Sequence, residues 1–492
     1  DENGKKTILE LNLKTFEYQA TSRYKYPTIS KAKQTDDIKK RMKILFEGND
    51  KAGNFYQKVF SGLFSYAACR IPEIADEIYK IDDAMKAGFG WELGPFEMWN
   101  EVGVENGIKI MKDNNLVIPD WVSTLSKVGI NAFYKNENGK KLFYDINSSD
   151  YKEIPGSNQY LQLDSLDKNA TIWKNDEASL IDLGDGILNV AFHSKMNTIG
   201  GGILAAINKG LDLAEQGEFK GIVIANEGAN FSAGANVGMI FMMAAEQDYD
   251  ELNMAVKAFQ NTTMRLRYSS VPVVAAPHGM TLGGGCEICL HADKVIAHAE
   301  TYMGLVEFGV GLIPGGGGTK EMALRFSDEI KQGDMRINRF RDKFLTVGQA
   351  KVSTSGNEAF ELGFLRTGID EVIVSKAHQI AYAKKACIQL ASKGYNQPAP
   401  RKDIKVLGNE GLGIVYVGAD SMLSGNYMSE HDLKISEKLG YVLCGGDLSE
   451  ITEVSEKYLL DLERKAFVEL CAERKTLERI QSLLQTGKIL RN

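Results

Sequence analysis

Histidine is scarce in this chain: there are six in 492 residues, and none precedes His193. The first 192 residues therefore offer no imidazole to act as a base near neutral pH. Cysteine is equally thin. The six residues (Cys69, Cys286, Cys289, Cys387, Cys444, Cys471) are scattered, which argues against a disulfide framework and makes a reducing compartment the default. Long apolar runs are missing, so no stretch reads as a membrane span. The start, DENGKKTILELNLK, has no apolar segment of the kind a secretory signal requires. Its abruptness suits a fragment boundary or a domain joint as well as a natural start. Positive charge is not in excess: 58 Lys and Arg face 65 Asp and Glu, for a net charge of -7. That balance disfavours nucleic acid as a partner, because a phosphate binder needs the reverse. No strand–GxGxxG–helix signature for a dinucleotide occurs. GLIPGGGGTK is not a phosphate loop, since Thr precedes Lys. We find no internal repeat and no low-complexity tract.

What remains is an ordinary globular composition, 43% hydrophobic and 25% charged, in a chain long enough for two to four domains. A cytoplasmic location is the expectation. Residues 36–120 are expected to be helical, because residues 38–46 (IKKRMKILF) and the run 52–79 repeat apolar side chains at three-to-four spacing. In DAMKAGFGWELGPFEMWNEVG (residues 83–103), Gly90 and Gly94-Pro95 mark a turn, with Pro95 placed to open a helix. Residues 121–165 are polar and aromatic and resemble a linker with a short hairpin, AFYKNENGKKLFY. From Ala178 the pattern changes. ASLIDLGDGILNVAFHS predicts two strands around a Gly-Asp-Gly turn. A helix over 202–216 follows, and then strands in GIVIAN, VPVVAAPHG and KVIAHAE, an alternation that predicts a layered α/β domain. Beyond about residue 320 the chain is expected to be mainly helical, with an amphipathic stretch over 453–485.

Three segments carry chemistry. FSAGANVG (residues 231–238) follows the GIVIAN strand, GMTLGGGCEICL (residues 279–290) follows VPVVAAPH, and GLVEFGVGLIPGGGGT spans residues 304–319. Gly283-Gly284-Gly285 lets backbone lie close to a ligand just before an apolar helical run, whose free N–H groups suit a developing negative oxygen. FSAGAN supplies a second small-residue turn whose N–H could face the first. Glu287 and Glu307, 20 residues apart, could then divide proton acceptance from water and proton donation to carbon. Taken singly, each feature has a plainer explanation. A glycine turn is often only a turn, Glu307 alone would more often be a surface carboxylate, and Cys286-x-x-Cys289 reads as two small buried hydrophobes because no second pair exists.

Jointly, in order and spacing, the three segments resemble the enoyl-CoA hydratase (crotonase) superfamily over residues 178–375, including FHSKMNTI and STSGNEAFELGFLRTGIDEVI. The resemblance implies an α/β crotonase domain with a ClpP-like spiral. It places the thioester oxygen on the N–H groups of Ala235 and Gly284, within a substrate-binding surface that includes Ala233, Gly234 and Gly283. Glu287 would chiefly activate the water and Glu307 chiefly protonate the α-carbon. Lys195 lies where relatives often touch the coenzyme A nucleotide. Asn236 departs from the Asp that many relatives carry, and this is expected to alter local support without abolishing the oxyanion hole. Isomerases, hydrolases and dehalogenases of the fold usually lack one or both carboxylates, so the pair favours hydration. The methionines of MIFMMAAEQ (residues 239–247) fit either the acyl end of the site or plain core packing.

The glycine-punctuated segment 83–103 resembles the helical C-terminal domain of 3-hydroxyacyl-CoA dehydrogenases, and residues 455–492 resemble the tail of bacterial dehydrogenase–hydratase fusions. The expected organisation is a dehydrogenase C-terminal-like domain (1–120), a linker (121–175), a crotonase domain (176–375) and a helical C-terminal region (376–492). The expected activity is enoyl-CoA hydration in fatty acid β-oxidation, with no metal and no cofactor beyond the coenzyme A of the substrate. NAD would serve only a dehydrogenase part that this sequence lacks. The resemblance also implies an acyl-CoA thioester as partner, a homo-oligomer, and room for a thiolase. A Δ3-Δ2-enoyl-CoA isomerase and a non-catalytic assembly module are the rival readings.

Overall fold

The computed structural model describes residues 8–21, 24–35, 37–125, 129–137, 140–163, 166, 168–331 and 333–492. Contacts between Cα atoms divide the chain into two units, Asp1–Ser157 and Asn158–Asn492.

In the first unit, amphipathic periodicity produces the helices Ile38–Glu47, Lys51–Cys69, Ile78–Phe89, Pro95–Val102 and Val104–Asp113. The run 52–79 is not one helix: it breaks after Cys69, because Pro72 can offer no amide to a continuing helix. Asp82 then organises the next turn. Its buried carboxylate accepts from the amides of Phe96 (2.8 Å) and Glu97 (3.0 Å), at the positive end of the helix Pro95–Val102, and from the Tyr134 hydroxyl (2.6 Å). Gly94 lies so close to Asp82 that a Cβ there would overlap it. Trp99, Phe64, Phe96 and Phe133 fill the core.

Of the stretch expected to be a linker, residues 121–157 are instead part of this unit and the remainder belongs to the second. Tyr134–Glu137, Lys140–Asp145 and Asp150–Glu153 form a three-stranded antiparallel sheet, and Phe133, Tyr134, Phe143 and Tyr144 are buried against the helices. Aromatic pairs set among lysine, asparagine and glycine read as polar loop in one dimension, yet Phe143 and Tyr144, which point to opposite faces of their strand, are both buried. The turn of the expected hairpin, residues 138–139, lies outside the described residues, as do residues 1–7 of the chain start.

The second unit is built on a seven-stranded sheet. Its order is Glu371–Ile373, Lys294–His298, Val273–Ala275, Gly221–Ile224, Ile187–Phe192, Ala178–Asp182, Thr171–Lys174. The first five strands are parallel and the last two pairings antiparallel. Every residue of Gly221–Ile224 is buried, as expected for a central strand covered on both faces. Ile222 and Ile224 join a core that includes the helix Gly201–Glu215, while Val223 and Ala225 join one closed by the helix Lys376–Ser392. A separate two-stranded parallel sheet pairs Gly279–Leu282 with Thr301–Gly304. The C-terminal region is not set apart: Leu439, Leu459, Phe467, Leu470 and Ile480 share the core of the strands and helices before it. The amphipathic stretch over 453–485 resolves into two helices, Glu456–Cys471 and Arg474–Thr486.

Candidate active site

Two glycine turns meet because the segments preceding them pair edge to edge. Ser232 bridges Thr281, with the Ser232 amide donating to Met280 O (3.0 Å) and the Leu282 amide to Ser232 O (3.0 Å). The close approach requires glycine. Gly234 sits at φ 103°, and a Cβ there would lie 3.1 Å from Leu282 O and 3.7 Å from Gly283 Cα. Gly283, at φ 50° and ψ -120°, opens the helix Gly284–Leu290, so the Gly284 amide belongs to that helix's free N-terminal donors. Ile199 pins the other turn by donating to Gly234 O (2.8 Å) and accepting from Asn236 N (3.1 Å). Among the described residues, neither the Ala235 nor the Gly284 amide donates a hydrogen bond. The Ser232 hydroxyl donates to Asn197 O (2.7 Å) and accepts from Gly234 N (3.1 Å), bracing the strand exit from below.

The two carboxylates arrive from either side of Gly283. Glu287 lies in the first turn of the helix Gly284–Leu290 and is 2% exposed. Its Oε1 accepts from the amides of Gly316 (2.7 Å) and Gly318 (2.8 Å). Glu307 follows the strand Thr301–Gly304, whose Gly304 O receives the Gly283 amide (2.8 Å). A Cβ on Gly283 would stand 2.9 Å from Glu307 Oε1. Glu307 is half-buried, and its Oε2, shielded from solvent, has no hydrogen-bond partner. Burial pushes the Glu307 carboxyl up to about 7, with the neighbouring Glu463 adding to the rise. Burial also drives Glu287 well above the usual carboxylate range, helped by the charges of Glu307 and Glu463 and opposed by the two glycine amides. Such a group of carboxyls holds protons in common near neutral pH, and so can offer an acid and a base together.

The remaining expected site residues fall in the same neighbourhood. Lys195 is exposed, on the short 3-10 turn Lys195–Asn197, and Met196 O of that turn accepts from Ala233 N (3.1 Å). Asn236 caps the helix Val237–Ala245 through its side chain, which accepts from Met239 N (3.4 Å). On that helix Met239 and Met242 are 49% and 60% exposed, so core packing does not account for them. Cys286 and Cys289 are wholly buried, and burial raises both thiols well above their ordinary range, which makes them inert packing residues. Among the described residues no group of three or more His, Cys, Asp or Glu is arranged to hold a metal ion.

One residue escaped sequence reasoning. Glu463, on the helix Glu456–Cys471, is fully buried beside the pair. Its signal was present: it lies at helical spacing among Leu459, Leu460, Ala466, Phe467 and Leu470, where a carboxylate has no bland reason to be.

Comparison with known proteins matches residues 182–329 to the family model "Enoyl-CoA hydratase/isomerase", and residues 53–144 to "3-hydroxyacyl-CoA dehydrogenase, C-terminal domain". A Bacillus subtilis protein named "Probable 3-hydroxyacyl-CoA dehydrogenase" is 42% identical over 488 residues, covering 99% of this chain and 61% of that protein. A Rickettsia felis protein named "Putative fatty acid oxidation complex trifunctional enzyme" is 23% identical, with 98% and 59% covered. The chain thus spans about three fifths of the length of these curated relatives. A solved enoyl-CoA hydratase structure from Bacillus halodurans aligns at 17% identity and a TM-score of 0.42, over 63% of this chain and 100% of that one.

Proposed function

Residues 182–329 form an enoyl-CoA hydratase/isomerase domain and residues 53–144 a 3-hydroxyacyl-CoA dehydrogenase C-terminal domain, and from that premise we propose that the chain adds water to trans-2-enoyl-CoA thioesters. The observation that carries this reading is the presence of two carboxylates, the buried Glu287 and the half-buried Glu307, on either side of Gly283 and next to two unengaged amides. An isomerase needs only one group to move a proton, whereas hydration uses a base for water and an acid for carbon.

In the proposed reaction the Ala235 and Gly284 amides take the thioester oxygen, drawing electron density from the β-carbon. One such donor contributes about 3 kcal/mol in comparable oxyanion holes. Water is held between the carboxylates. Its oxygen bonds to C3 while its proton passes to Glu287, whose Oε1 accepts from the amides of Gly316 and Gly318, bonds that favour its charged form against the burial that opposes it. Glu307, whose Oε2 has no donor to hold it ionised, delivers its proton to C2. The product is a 3-hydroxyacyl-CoA, and one proton passing from Glu287 to Glu307 restores the pair. Lys195 is assigned to the nucleotide end of coenzyme A. Ala233, Gly234 and Gly283 keep backbone close to the thioester.

The test is a series of trans-2-enoyl-CoA and 3-enoyl-CoA substrates of increasing chain length, run with and without NAD. We expect loss of the enoyl-thioester absorbance with 2-enoyl substrates. No reduction of NAD is expected from these 492 residues, which carry no dinucleotide signature and no histidine before His193. Turnover of 3-enoyl substrates alone would make the chain an isomerase, and turnover of neither would make it an assembly module.

A further inference from the structure

The helix Gly318–Glu329 begins with a run of glycines, and its first amides are dealt alternately to two carboxylates. Gly316 N and Gly318 N go to Glu287 Oε1. Gly317 N donates to Glu463 Oε1 (2.7 Å) and Lys320 N to Glu463 Oε2 (3.0 Å). Neither carboxylate can shift without moving the backbone that holds the other. Glu463 is itself held from outside: Gln260 Nε2 donates to its Oε1 (3.2 Å), and Arg464 Nη1 fixes Gln260 Oε1 (2.8 Å). The far side of Glu287 is braced through His291. Its Nδ1 bonds Glu287 O (2.7 Å), so that nitrogen carries the proton, and Nε2 accepts from Lys320 Nζ (2.9 Å).

We propose that Glu463 is a positioning residue for Glu287: by occupying the alternate amides of this helix end, it fixes the two glycine amides that hold the reacting carboxylate. The inference rests on the hydratase reading given above. Its second consequence is electrostatic. The charged and titratable groups facing Glu463 are Glu287 from the helix Gly284–Leu290, Glu307 from the turn after Gly304, and Lys320 from the helix Gly318–Glu329. From the helix Tyr249–Arg267 the neutral Gln260 donates to it, and on its own helix Arg464 is turned to Gln260, Asn253 and Asp461. Lys320 is already shared by His291, Glu321 and Glu456. Burial pushes the Glu463 carboxyl itself up to about 7, so its negative charge is present above that pH, where it is felt mainly by Glu287 and Glu307 and helps keep a proton on that pair.

The test uses the whole chain with Glu463→Gln and Glu463→Asp. Gln keeps the shape and an amide acceptor but removes the titratable carboxyl; Asp keeps the carboxyl and shortens the reach. With a trans-2-enoyl-CoA substrate we expect Glu463→Gln to lower kcat by about tenfold or more, leave KM within about twofold, and move the alkaline limb of the pH–rate profile about one unit to the acid side. Glu463→Asp should lose rate with the limbs unmoved. A Glu463→Gln variant with wild-type kinetics, or one that loses rate with both limbs in place, overturns the proposal. Carbon-13 NMR titration of glutamate-labelled protein gives a readout that needs no turnover: the Glu287 and Glu307 midpoints must fall in Glu463→Gln. If wild-type protein hydrates nothing, the hydratase reading fails, while unmoved midpoints in the variant would sink the role of Glu463 on their own.

Discussion

Glu307 links catalysis to stability, and Glu307→Gln should separate the two. The unfolded carboxyl titrates near its ordinary 4.5, whereas burial lifts the folded one to about 7. For a carboxyl with a raised folded value, the sign is the reverse of the usual acidic case. Below 4.5 both states are protonated and nothing is lost. Between 4.5 and about 7 the unfolded state releases its proton more readily, so folding weakens as pH rises through that window. The linkage between pH 5 and pH 8 comes to about 2 kcal/mol after a modest discount for the partial exposure of the side chain. Gln carries no such titration. Its fixed packing cost is the same at both pH values and cancels in the difference. Thermal unfolding followed by circular dichroism should therefore show the variant gaining on wild type by a few degrees between pH 5 and pH 8. Over the same range hydration should fall by about 10²–10⁴-fold. If the variant gains nothing on wild type at pH 8, Glu307 does not sit where its charge is penalised, and the reasoning about the pair is wrong.

Glu287→Gln should likewise cost about 10²–10⁴ in kcat with coenzyme A binding retained, measured by kinetics beside calorimetric titration. A near-normal rate would exclude it as the base. In Gly316→Ala the new methyl would stand 2.7 Å from Glu287 Oε2, so we expect a rate loss of at least about tenfold and about 1–3 kcal/mol of destabilisation, read by kinetics and denaturant titration. In the first unit, Asp82→Ala strands two helix amides and the Tyr134 hydroxyl, and unfolding should become easier by about 2–4 kcal/mol, with hydration by the second unit as the control expected to stay unchanged.

Much of the second unit could be read in one dimension because its signals are local. GIVI and VVA are short apolar runs whose burial on both faces demands strands, the Gly-Asp-Gly turn forces Ala178–Asp182 against Ile187–Phe192, and a glycine triplet before CEICL opens a helix. The same locality made Glu287 and Glu307 stand out, since each lies just beyond a glycine turn in a segment of otherwise apolar residues. Other features depended on which faces meet. The residues expected to link domains became a sheet because Phe133 and Phe143 found helices to cover them, and the run 52–79 broke where a proline removed an amide.

The strand and helix segments of the site, and the residue types that crowd it, follow from local order along the chain, because glycine torsions and apolar periodicity act over a few residues. The arrival of a third carboxylate, Glu463, from the helix Glu456–Cys471 to share one helix end with Glu287 is a product of packing in three dimensions. Spacing along a chain carries no information about which distant helix face will close over a buried charge, and it is that closure, through desolvation and shared amides, that sets where the protons reside.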